Sequence, residues 1–120
     1  MTNKEKAISF LTLAGTGMVQ EAYEAYVSPD FIHHNQYFAG DRESLKVAME
    51  EAHQNSPNTG IEIKKVYEDG LTVITHSHVV KTDMEIAVLH IFRFEEGKIV
   101  ELWDLGQVMD ANSPNENGAF

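Results

Sequence analysis

The sequence predicts an α+β fold in which helices cover one face of a curved antiparallel sheet. Apolar residues recur at helical spacing as far as Ser56, and from Gly60 onward the apolar period is two. The two kinds of segment are also segregated along the chain, helices first and a four-stranded meander last.

Each element has its own reason. Thr2-x-x-Glu5 forms a capping box ahead of a first helix whose apolar stripe is Ala7, Phe10, Leu11 and Ala14. Gly15-Thr16-Gly17 breaks it. A second helix carries Val19, Ala22, Tyr23 and Tyr26 at the same spacing until Pro29 ends it. FIHHNQYFA, between Asp30 and Gly40, reads as a short extended piece with a turn. Asp41 caps a third helix with Leu45, Ala48, Met49 and Ala52 in its stripe, and Ser56-Pro57-Asn58 closes it. IEIKKVY and LTVITHSHVV form one hairpin around Glu68-Asp69-Gly70, and Ile86 to Gln107 form the next. The tail from Asp110, rich in asparagine, reads as irregular.

With 120 residues, 42% of them hydrophobic, the chain is expected to be one soluble domain spanning 1–120, with no repeat and no linker. The absence of cysteine excludes disulfides, thiol chemistry and a cysteine zinc site. MTNKEKAISF lacks the apolar core of a secretory signal, and no run approaches a membrane span, so a cytoplasmic location is the expectation. The formal net charge of -10, with lysine and arginine scattered, argues against nucleic acid as a partner.

The last hairpin offers the chemistry. IAVLHIFRF and IVELWDLGQ meet at Glu95-Glu96-Gly97, which suits a type I turn followed by a glycine bulge. In that three-residue reading Phe94 pairs with Lys98, and even-numbered residues of both strands, Val100 among them, share a face. His90 then sits opposite Leu102 with Asp104 its diagonal neighbour, roughly 7 Å away. A two-residue loop would place the pair on opposite faces. A carboxylate on an apolar sheet face responds to burial by raising its pKa, which suits a general base, and an imidazole beside it can stabilise an enolate. Asp104 and His90 are therefore the candidate catalytic residues.

The remaining candidates are less determined by pattern. His33, His34 and Asn35 cluster at a helix-to-strand junction, and His76 and His78 alternate along a strand, on a face that depends on the turn near Thr82-Asp83. An HxH pair with another histidine is a weak metal signal, and hydrogen-bonding roles suit these residues better. Tyr23, Tyr26, Tyr37, Phe31 and Phe38 either line a pocket or pack the core. His34, Asn35, His78, Trp103 and Tyr23 are taken as the candidate substrate-binding set. No phosphate loop, nucleophile elbow or dinucleotide fingerprint is present.

HIFRFEEGKIVELWDLGQ, together with FIHHN and the order of elements, resembles the SnoaL-like polyketide cyclase family of the nuclear transport factor 2-like superfamily, which includes ketosteroid isomerases. The NENGAF ending is similar to the Asn-rich close of a bacterial branch associated with aldol condensation. The likeness covers essentially the whole chain. Its FRF-x-x-GKIVE-x-WD core is fairly specific to the superfamily, whose members range from isomerases and cyclases to hydrolases and non-catalytic binders. The resemblance implies a cone, a curved sheet wrapped around a long helix with an apolar pocket between them, usually in a homodimer. It implies Asp104 as the general base, His90 as a pocket residue beside it, and His34 and Asn35 as polar pocket groups. A histidine at position 90 departs from the steroid isomerases, which carry an acid there. The expected function is cofactor-free proton transfer on a small apolar or carbonyl-containing molecule. The alternatives are a binding module without chemistry and a metal enzyme using His76, His78 and His33 or His34.

Overall fold

Thr2 caps the first helix as the sequence predicts. Its Oγ1 accepts the Glu5 amide at 3.1 Å, and the Glu5 carboxylate accepts the Thr2 amide at 3.0 Å. The computed structural model describes residues 1–120. Helix α1 spans Asn3–Gly15, α2 Val19–Tyr26 and α3 Arg42–Asn55; strands β1 to β5 span Val27–His33, Asn58–Asp69, Thr72–Lys81, Glu85–Glu95 and Lys98–Val108. Gly17, at φ +94°, turns the chain between α1 and α2 against the His53 ring, leaving no room for a side chain.

The sheet has five strands in the order β1-β5-β4-β3-β2, one more than the meander read from the sequence. The extra strand is the extended piece. Helix α2 stops at Tyr26, and Val27 already has extended backbone. Pro29 therefore lies inside β1 instead of ending a helix. It is tolerated because β1 is an edge strand, parallel to β5, whose register breaks between Val27 and Ile32. The other neighbours are antiparallel, as expected.

The helices cover one face. Phe10 of α1 meets Phe92 edge-on at 5.9 Å and Tyr23 at 5.6 Å, and this cluster continues through Phe31, Val73, Phe94, Ile99 and Leu102. Helix α3 is held differently. Leu45 is its one buried residue, so its C-terminal half lies over space that side chains do not fill.

The last hairpin departs from its predicted register in two steps. Glu96 (φ +49°) and Gly97 (φ +76°) both have positive φ, so the loop has two residues and Glu95 pairs with Lys98. A turn of that hand matches the twist of two long strands. The ladder then skips Val100: Phe94 pairs with Ile99, but Arg93 pairs with Glu101. This bulge moves the register by one further residue. The two shifts together restore the face, so His90 stands directly opposite Asp104, not diagonal to it, and Ile99 takes the core place expected for Val100.

Candidate functional site

Strand alternation builds the site. On β3 the odd residues Val73, Thr75, Ser77 and Val79 point toward the helices, and the register aligns Thr75, His90 and Asp104 in one row across β3, β4 and β5. Below this row Val73, Phe92 and Leu102 make an apolar floor. In the row itself, Thr75 Oγ1, His90 Nδ1 and Asp104 Oδ1 are buried without a hydrogen-bond partner, as is Ser77 Oγ one step along β3. Four orphaned polar atoms side by side on an inner sheet face are unusual, because each costs about 1–3 kcal/mol if nothing meets it.

Asp104 is fixed by one partner: Asn35 Nδ2 donates to its Oδ2 at 3.2 Å. Burial pushes the His90 pKa down to about 4, against the opposing pull of the Asp104 charge. His90 is consequently a neutral imidazole at physiological pH, stacked on Phe92 at 5.8 Å. The two residues border adjoining spaces. His90 lines a cavity of about 190 Å³ walled by Phe10, Leu11, Met49, Ile61 and Val79. Asp104 lines a wider cleft with Asn35, Tyr37 and Leu105, and Val88 borders both. A ligand reaching both groups passes Val88.

Of the other candidates, Asn35 and His34 border the Asp104 cleft and three lie elsewhere. His34 lines that cleft at its rim, with its ring stacked on Trp103 at 4.6 Å and its Nε2 2.6 Å from Glu101. Trp103 pairs with Ile91 and so faces away from Asp104. His76 and His78 occupy the outer face of β3 because Thr75 and Ser77 take the inner one. Phe120 from the tail lies over them at 4.8 and 5.3 Å, and His78 Nε2 is 2.7 Å from Glu85. Tyr23 is a core residue: fully buried, its hydroxyl donates to Met49 Sδ at 3.6 Å, and desolvation raises its pKa. His33 is also internal, with Nε2 donating to Ala39 O at 2.6 Å and Nδ1 accepting the Asn35 amide at 3.1 Å. It thereby orients the segment that carries Asn35. The histidines weighed as metal ligands are thus divided between the two faces of the sheet and do not converge.

Sequence reasoning missed Thr75, Ser77, Asn58 and Lys81. The signal for the first two was available: if His76 and His78 share one face, the hydroxyls at 75 and 77 share the other. Nothing local marks Asn58 or Lys81, which reach the cavity through the β2–β3 pairing.

The family model of the SnoaL-like domain matches residues 9–102. An NTF-2-like protein of unknown function from Burkholderia xenovorans LB400 superposes with a TM-score of 0.75 at 16% identity, over 93% of this chain and 88% of that one. A protein from Jannaschia Sp. CCS1, provisionally named a SnoaL-like polyketide cyclase, gives 0.75 at 13% identity, over 88% and 85%. An LEH-like epoxide hydrolase from M. tuberculosis gives 0.68 at 15%, over 88% and 82%. At these identities the structural likeness speaks for the fold alone. No curated protein matches the sequence.

Proposed function

We propose, from the premise that the chain belongs to the SnoaL-like domain family, that His90 and Asp104 perform cofactor-free proton transfer on a small carbonyl compound. The observation that carries this reading is the cross-strand pair of buried, unpartnered atoms, His90 Nδ1 and Asp104 Oδ1. Asn35 holds Oδ2 of Asp104 and leaves Oδ1 to take a proton from the carbon beside the carbonyl. The electron pair of that C–H bond passes into an enolate, whose oxygen accepts a hydrogen bond from the neutral His90 ring. Asp104 then returns the proton, either to another carbon, which isomerises the substrate, or to the alkoxide left when the enolate closes on a second carbonyl.

The test is deuterium uptake beside the carbonyl of cyclohexanone, 2-octanone and hexanal in D₂O, followed by NMR. Asp104→Asn should lower the protein-dependent rate by about 10²–10⁴-fold, the usual contribution of a positioned base. Equal rates for the wild type and Asp104→Asn would overturn the assignment. A second reading, a binding module without chemistry, draws on the placement of His90 and Asp104 in adjoining spaces. It expects the same ketones to bind with no exchange above the buffer rate.

A further inference from the structure

The cavity beside His90 has two chemically different ends. At one is His90 itself. At the other are Lys81 of β3 and Asn58 of β2, which pair across the ladder, with Ser56 at the end of α3. Between them the wall is apolar: Phe10, Leu11, Ile61, Val79 and Val88. Lys81 Nζ donates to the Ser56 carbonyl at 2.5 Å, and no carboxylate lies within ion-pair distance of it. In a chain with 19 Asp and Glu, none of the 14 residues lining this cavity is acidic. Asn58 Nδ2 is tied to the Gly15 carbonyl at 2.9 Å, while its Oδ1 is buried with no partner.

We infer that this cavity takes a medium-chain carbonyl compound with an anionic head, a carboxylate above all, seated at Lys81 while the chain runs inward to His90. An ammonium with no carboxylate partner at the edge of an apolar space gains a charge-assisted hydrogen bond when a carboxylate arrives, and no acidic residue lines the cavity to oppose it. The length is set by the sheet. Thr75, the partner of His90, and Lys81 stand six residues apart on β3, about 20 Å of strand. The Lys81 and His90 side chains reach into that distance and leave room for an extended alkyl chain. Only the reacting end of this inference rests on the proton-transfer reading; the head-group end stands on Lys81.

The probes are octanoate, 1-octanol and octylammonium, titrated calorimetrically near neutral pH into wild type, Lys81→Gln and Lys81→Arg. Octanoate should bind at least about tenfold more tightly than 1-octanol, the amount one hydrogen bond to a charged group supplies. Lys81→Gln should erase that preference without weakening 1-octanol, and Lys81→Arg should keep it. If Lys81→Gln fails to fold, the wild-type ranking and Lys81→Arg decide. Equal binding of octanoate and 1-octanol, octylammonium as the tightest ligand, no binding of any probe, or a preference that survives Lys81→Gln would each overturn the inference. These outcomes are separate from the exchange test. Octanoate capture through Lys81 with no ketone exchange would sink the catalytic reading alone, and exchange with no octanoate preference would sink this one alone.

Discussion

His90 is the residue whose physics is most constrained. Stacked on Phe92 and largely buried, it holds a proton less tightly in the folded chain than in the unfolded one, so protonation favours unfolding. Its contribution to stability is complete above about pH 6.5 and is lost as pH falls toward about 4, on the order of 3 kcal/mol in all. His90→Phe, which keeps the ring stack and removes the titration, should therefore flatten the fall of melting temperature between about pH 6.5 and 4 relative to wild type. An unchanged slope would mean that the imidazole is solvated. The same reasoning gives His90 no change of charge near neutrality, and its ring resonances should stay fixed in NMR spectra between about pH 6 and 8.

At the scale of the element, the β4–β5 hairpin decides whether the site exists. A two-residue loop alone would set His90 opposite Trp103 and turn Asp104 outward; the skipped residue, Val100, brings Asp104 back. Deleting Val100 should therefore leave the pairing of Phe92 with Leu102 and of His90 with Asp104 in place. The variant should keep ketone exchange within about tenfold of wild type, with a melting temperature a few degrees lower from the lost twist. In the register predicted from sequence, whose one bulge is the glycine of the turn, the same deletion would turn Asp104 to the outer face and abolish exchange. The deletion thus separates the two registers by activity alone. Residues Glu95-Glu96-Gly97 are compatible with either loop, and the choice between them follows from strand twist, a property of both strands together.

At the scale of the whole molecule, charge and shape set the terms. The net charge of -10 is carried on a body with a radius of gyration of 14.1 Å. At about 10 mM salt the screening length is about 30 Å, so all of the acidic groups repel one another; at about 1 M it is about 3 Å. Raising NaCl between these limits should raise the melting temperature by several degrees, and a flat response would mean that the acidic groups are already balanced by the local lysine, arginine and histidine contacts. No helix is long and apolar enough to cross a membrane. The tail that the sequence leaves irregular returns to the sheet and lays Phe120 over His76, His78 and Lys64, which gives the outer face its own aromatic cover.

Legible in the residues themselves were the three helices, the caps of the first and third, the switch to a period of two, and the candidacy of His90 and Asp104, because each is written in residues a few positions apart; the end of the second helix was not, since Pro29 serves an edge strand. Asp41 and the Thr2–Glu5 box needed no more than local hydrogen bonding to be legible. Packing in three dimensions decided which residues face the helices, and that His90 and Asp104 border adjoining spaces and not one hollow. His78 and Trp103 went to the outer face because a strand shows alternate residues to opposite sides, and one bulge or one turn residue reverses the assignment. Tyr23 went to the core and Lys81 to the cavity because of where α3 and the first strand of the meander lie, which involves residues far apart in the chain. A pattern read along one strand specifies that two sides differ; only packing against the helices specifies which side is in.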